Sequence, residues 1–206
     1  INSVIMNGFK PVFVDIDPYT MCMDMEDLEG KVSNKTGAII PVHFGGIPCQ
    51  MDTIMKISKN KQIKIIDDAS HACGTKFQGK EIGSIGDLTC FSFHPVKNLS
   101  MPKGGAITIN SKNHESIKKK LKSLRWCGIN NRKGVTYDIS DLGYNYYMDE
   151  ISASIGIEQL KKIEKLNSKR MKIAKRYQKE LKISEHIPII NNCAYHLFWI
   201  KVKNQK

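Results

Sequence analysis

The chain has 206 residues, 41% of them hydrophobic and 25% charged, with a mean hydropathy of −0.34. This supports one domain with a substantial core and excludes a peptide, a wholly disordered chain or a membrane bundle, since no run approaches the roughly 18 apolar residues of a span. The formal charge of +12 is segregated, with 11 basic and 11 acidic residues in 1–111 but 21 and 9 in 112–206.

Residues 11–17 (PVFVDID) form a β-branched run closed by the turn pair Asp17-Pro18, and a strand is expected there. Residues 38–44 (AIIPVHF) are a second, stopped by Gly45-Gly46. Residues 51–59 place Met51, Ile54, Met55 and Ile57 at helical spacing, with Asp52 in the first turn. Residues 63–70 (IKIIDDAS), 88–93 (LTCFSF) and 104–110 (GGAITIN) are the third, fourth and fifth strands. These are nearly continuous apolar runs without strict alternation. They imply an α/β fold: a three-layer, mostly parallel sheet with helices on both faces. The link from the fourth strand to the fifth is too short for a helical crossover, so the fifth can run antiparallel.

The second half changes character. Residues 113–126 read as a Lys-rich amphipathic helix with Ile117, Leu121 and Leu124 on one face. Residues 127–148, dense in Gly, Asn and Tyr, read as a loop. A long helical pattern runs from Asp149 towards Leu181 through Leu160, Ile163, Leu166, Met171, Ala174 and Tyr177, with a bend expected near Asn167-Ser168. Residues 193–202 alternate loosely and suggest the opening strand of another unit. The implied organisation is a partial large domain over 1–150, a linking helix over 151–185 and the start of a second domain over 186–206. Both ends of the chain read as cut.

In an open α/β sheet, ligands bind beyond the carboxyl ends of the strands. The second strand ends at His43, the third at Asp67, Asp68 and His71, the fourth at Ser92, His94 and Lys97. Asp67-Asp68 closes a strongly apolar strand, where a carboxylate needs a cation or a donor; equally, Asp68 or Ser70 can cap a short turn, with Asp67 a surface neighbour. Lys97, held by Pro95 just past a buried strand, is either a Schiff-base amine facing a carbonyl compound or a solvated loop lysine. No GxGxxG follows the first strand and no GxxxxGK[ST] is present, so dinucleotide and P-loop readings are weak. Six cysteines without a CxxC pair read as reduced thiols in a cytosolic protein, and no zinc-ligand spacing appears. Basic and aromatic residues interleave between Trp126 and Tyr147, but that segment reads better as a site or interface loop than as a nucleic-acid surface.

Taken in order, the segments NSVIMNGFKPVFVDIDPYT, AIIPVHFGGIPCQMDTI, IIDDASHACG, GDLTCFSFHPVKNL, GGAITIN and LGYNYYMDEISASIGIEQLKKI make the chain resemble the DegT/DnrJ/EryC1/StrS family over nearly its whole length. These are pyridoxal-phosphate sugar aminotransferases whose large domain has the fold-type I architecture. The resemblance implies pyridoxal 5'-phosphate as cofactor, a nucleotide-linked keto-sugar as substrate and glutamate as amino donor. It also implies a cytoplasmic homodimer with shared sites, with neither a nucleic-acid nor a membrane partner. It makes Lys97 the Schiff-base and proton-shuttling lysine and Asp68 the partner of the pyridine nitrogen. His71 falls near the phenolic oxygen, Ser92 at the phosphate, and Asn145 at the phosphate of the neighbouring subunit's cofactor. His43 and His196 lie in segments lining the substrate side of the cleft.

Lys103, the Trp126-Cys127-Gly128 segment and Tyr147 depart from common family residues on the substrate side and leave the sugar open. Family members carry a further phosphate-binding turn and a sheet strand before the position of Ile1, and a small domain after that of Lys206. Lys97 argues against the sugar dehydratases of this scaffold, which have His there. A relative that binds without turnover is the other alternative.

Overall fold

In the computed structural model, which describes residues 1–181 and 185–202, fourteen helices and strands follow in the order α1 (Asn2–Met6), α2 (Met25–Lys31), β1 (Ala38–Ile39), α3 (Met51–Lys61), β2 (Lys64–Asp68), β3 (Lys76–Phe77), β4 (Lys80–Glu81), β5 (Leu88–Ser92), β6 (Gly105–Ile109), α4 (His114–Arg125), β7 (Ile129–Lys133), β8 (Thr136–Ile139), α5 (Glu150–Leu160) and α6 (Ile163–Glu180). The central sheet has the order β1-β2-β5-β6. β1, β2 and β5 run parallel, and β6 is antiparallel, as its short link to β5 requires.

The pleat sorts the sheet into two rows. Asp67, Thr89 and Thr108 are in register across β2, β5 and β6, as are Asp68, Cys90 and Ile107 on the opposite face. The first face carries the main core, in which Ile39 and Ile65 of the sheet pack with Leu28 of α2, Ile54 and Ile57 of α3 and Ala174 of α6. Burying such aliphatic side chains contributes about 1.5–3 kcal/mol each. On the Asp68 face, Val42 bridges to Asp68, and Val42 and Ile107 remain 42% and 46% exposed.

Helices start where the sequence supplies caps. Asp24 accepts from the Asp27 N–H at the start of α2, and Asp149 accepts from the Ser152 N–H at the start of α5. The pattern from Asp149 to Leu181 is two helices, not one bent rod, and the break falls at Lys161-Lys162 instead of Asn167-Ser168. Asn167 stays helical because its side chain is satisfied within the core, as described below.

Two expected strands do not form. Residues 11–17 make only the isolated bridge Ile16 to Met23, and 193–202 only that of Ile200 to His186. An extended run becomes a strand only when it pairs along a neighbouring strand, and among the described residues neither run pairs beyond these bridges. Residues 127–148 are more ordered than their composition suggests, since they hold the β7–β8 hairpin. Residues 203–206 lie outside the described residues.

Candidate active site

The carboxyl ends of β1, β2 and β5 lie side by side, and three turns leave them. The first is Phe44–Gly46, where Gly45 and Gly46 have φ of 65° and 98°. Gly46 is required there: a Cβ would stand 2.9 Å from the Tyr195 nitrogen and 3.1 Å from the His71 carbonyl. The second runs from Asp68 to Thr75, the third from Ser92 to Met101. The segment 193–196 closes over them, with the Cys193 Sγ 3.0 Å from the Gly46 carbonyl and the Ala194 N–H donating to Thr75 Oγ1.

Asp67 and Asp68 are separated by the pleat. Asp67 has no exposure: its Oδ2 accepts from Thr89 Oγ1 at 2.9 Å, and burial raises its pKa to about 6. It is a buried core carboxylate, not the surface neighbour that its sequence position allowed. Asp68 is half-buried on the other face and accepts from the Ser70 N–H at 3.0 Å. Among the described residues neither Asp68 nor Lys97 has an ion-pair partner. Lys97 is half-buried in the turn after β5, its N–H bonded to the His94 carbonyl, while Ser92 Oγ at the end of β5 accepts from the His94 N–H at 3.4 Å.

Three imidazoles adjoin this pair. His71 Nδ1 accepts from the Gly45 N–H at 3.3 Å, and its ring lies 4.5 Å from that of His196. Burial, then the Lys97 charge, lowers the pKa of His71, while Asp68 opposes the shift. Burial, then His71, Lys97 and Arg170, brings His196 to about 4. His43 has no exposure. It accepts from the Cys49 N–H through Nδ1 and points Nε2 at Asp67 Oδ1, 4.0 Å away, and burial lowers it to about 4. The structure thus gathers Asp68, His71, Ser92, Lys97 and His196 around the strand ends and sets His43 beneath them. Asn145 sits elsewhere: it is exposed and bridged to Trp126 beyond the end of α4.

Asn98 and Asn167 do not stand out in the sequence, yet both belong to the site. Asn98 is 3% exposed and joins His196, Asn167 and the Ala194 carbonyl. A signal existed in Asn167, a polar residue one turn after Ile163 on the apolar stripe of α6, because such a residue must find partners inside. Among the described residues no group of three or more His, Cys, Asp or Glu could hold a metal ion. An apolar cavity of about 600 Å³ lies between β5, β6 and α5, lined by residues such as Phe91, Leu99, Met101, Ala106 and Ile157, and it contains none of the polar cluster.

The cluster fits a ligand with a cationic ring and an electrophilic carbon. It offers a half-buried carboxylate and amine without ion partners among the described residues, an imidazole influenced by both and shifted toward its neutral form, and a hydroxyl at the adjacent strand end. A sequence model of the DegT/DnrJ/EryC1/StrS aminotransferase family matches residues 1–206. The chain is 41% identical to the uncharacterized protein MJ1066 of Methanocaldococcus jannaschii, over 96% of this chain and 54% of that one. It is 34% identical to the spore coat polysaccharide biosynthesis protein SpsC of Bacillus subtilis, over 100% and 55%. The chain therefore spans about half the length of these relatives. Among solved structures, the putative sugar aminotransferase Spr1654 of Streptococcus pneumoniae in its PMP form superposes with a TM-score of 0.89 at 30% identity, over 98% of this chain and 58% of that one. PseC of Helicobacter pylori, an aminotransferase involved in pseudoaminic acid biosynthesis, gives 0.86 at 25% identity, over 96% and 53%.

Proposed function

The chain belongs to the DegT/DnrJ/EryC1/StrS aminotransferase family, and from that premise we propose that the protein moves an amino group from glutamate to a nucleotide-linked keto-sugar with pyridoxal 5'-phosphate as cofactor. The observation that carries this reading is the pairing of Asp68 and Lys97 at adjacent strand ends, both half-buried and both without an ion partner among the described residues. Spr1654 in its PLP and PMP forms, and PseC and SpsC with their roles in sugar and polysaccharide biosynthesis, support it.

When bound, the cofactor supplies an electrophilic carbon and an electron sink. Asp68 then holds the proton on the pyridine nitrogen, and that cation in turn relieves a carboxylate that would otherwise be costly to bury. Lys97 binds the cofactor through its amine and carries the proton to and from the substrate carbon; the half-buried turn limits competing water. His71 donates from Nε2 to a ligand oxygen, and Ser92 gives one hydroxyl to the phosphate. His196 faces the substrate side, whereas fully buried His43 is assigned no contact with substrate. Asn145, exposed and apart from the cluster, serves the phosphate of a second copy in a homodimer. Lys97 in place of His disfavours dehydration.

Amino transfer is tested by supplying pyridoxal phosphate, glutamate and a nucleotide-linked keto-hexose to the full chain and following 2-oxoglutarate and the amino sugar together. Stoichiometric formation of both is expected. A folded, cofactor-loaded protein that forms neither would reject the reading in favour of binding without turnover.

A further inference from the structure

His71 and His196 lie 4.5 Å apart, with their rings 35° from parallel, and each has one nitrogen committed to a group whose role is fixed. The Gly45 N–H can only donate, so His71 Nδ1 is an acceptor. For His196 the deciding group is Asn98. The Asn98 amide nitrogen faces the Ala194 carbonyl at 2.7 Å and Asn167 Oδ1 at 2.9 Å. A backbone carbonyl can only accept, so this end of Asn98 is the NH₂ and the other end is the oxygen. Asn167 is oriented by the same logic, since its own nitrogen donates to the Cys73 carbonyl at 2.9 Å. Asn98 Oδ1 stands 3.0 Å from His196 Nδ1 and must therefore accept a hydrogen bond from an Nδ1–H.

Both rings are shifted toward the neutral form. Burial and the neighbouring Lys97 act on each, with Arg170 adding to the effect on His196 and Asp68 opposing it on His71. A neutral imidazole has one donor and one acceptor. His71 is left with an Nε2–H and His196 with an Nε2 lone pair.

We infer that Asn98 is a positioning residue of this site: it anchors the turn carrying Lys97 to α6 and to segment 193–196, and it holds His196 in the Nδ1–H tautomer, so that the adjacent imidazoles present one donor from His71 and one acceptor from His196. The inference rests on the function proposed above, in which His196 faces the substrate side; there its acceptor meets a sugar hydroxyl. An N–H at that position would meet the hydroxyl's oxygen instead, so the tautomer selects how the sugar is oriented.

The test is a long-range ¹H–¹⁵N correlation spectrum of the full chain labelled with ¹⁵N-histidine, near neutral pH. His196 is expected as Nδ1–H and His71 as Nε2–H. Asn98→Asp cannot donate to Ala194 or Asn167 and sets a carboxylate beside His196 Nδ1, so the His196 pKa should rise by about 1 to 3. Wild-type His196 in the Nε2–H form would overturn the inference, and so would a folded Asn98→Asp variant with an unmoved His196. If that variant does not fold, the wild-type tautomers decide alone. Pyridoxal phosphate titrated into the wild-type sample separates the two readings. Expected tautomers without a bound visible band would overturn the function while leaving the control of His196 by Asn98 standing, whereas a bound band with the opposite tautomer overturns this inference alone.

Discussion

His43 Nε2 and Asp67 Oδ1 face each other at 4.0 Å inside the core, and neither atom has a hydrogen-bond partner among the described residues. His43 Nδ1 accepts from the Cys49 N–H, so Nε2 carries the proton of the neutral ring and points a donor at the carboxyl group. The pair stands directly behind Asp68, joined to it through β2 and through the His43 N–H bond to the Asp68 carbonyl.

Burial lowers His43 from 6.5 to about 4 and raises Asp67 from 3.8 to about 6. Between about pH 4 and 6.5, folded His43 holds fewer protons than unfolded His43, so its contribution makes stability rise with pH. Between about pH 4 and 6, folded Asp67 holds more protons than the unfolded group, so its contribution makes stability fall. The two slopes oppose each other in the wild type. Asp67→Asn should leave the rising slope and His43→Gln the falling one, as read by urea unfolding from about pH 4 to 7. Indistinguishable profiles for the two variants would contradict this.

The two neighbouring carboxylates should separate stability from function. Asp67→Ala opens a cavity and takes away the acceptor of buried Thr89 Oγ1, at a cost of about 1–3 kcal/mol in stability. Asp68→Ala should leave stability nearly unchanged and lower turnover on the order of 10²-fold or more. Unfolding curves and transamination rates for both variants check the contrast.

Much of this site was legible in the sequence, and what was not has a physical reason. Strand ends and a Lys after a buried strand are local signals, so Asp67, Asp68, His71, Ser92, His94 and Lys97 stand out from the order of residues alone, and the family resemblance selects Asp68, Ser92 and Lys97 among them. The split between Asp67 and Asp68 depends on which face of β2 meets the core, a fact of packing that lies outside the DD pair itself. Asn98 and His196 are 98 residues apart in sequence and meet only through the fold. Likewise the run at 11–17 has every local mark of a strand and lacks only a neighbour.

Gly46→Ala should disturb the site from behind. The new Cβ meets the Tyr195 nitrogen and the His71 carbonyl at a φ of 98°, so segment 193–196 must move, carrying His196 with it. A loss of about 1–3 kcal/mol in stability and weaker pyridoxal phosphate binding are expected in urea and cofactor titrations.

Asn145 should act across a dimer. Mixing Lys97→Ala chains with Asn145→Ala chains should restore part of the activity, because one site of each heterodimer draws both wild-type residues. No rescue despite confirmed chain exchange would place Asn145 outside the partner's site.

In the proposed function Lys97 is the residue that bonds the cofactor, aided by Asp68 on the adjacent strand. The most direct measurement of this is borohydride reduction of the pyridoxal-phosphate-loaded full chain, followed by peptide mapping. Loss of the bound visible band and a pyridoxyl group on Lys97 are expected. A stable adduct on another lysine, with Lys97 unmodified, would contradict this.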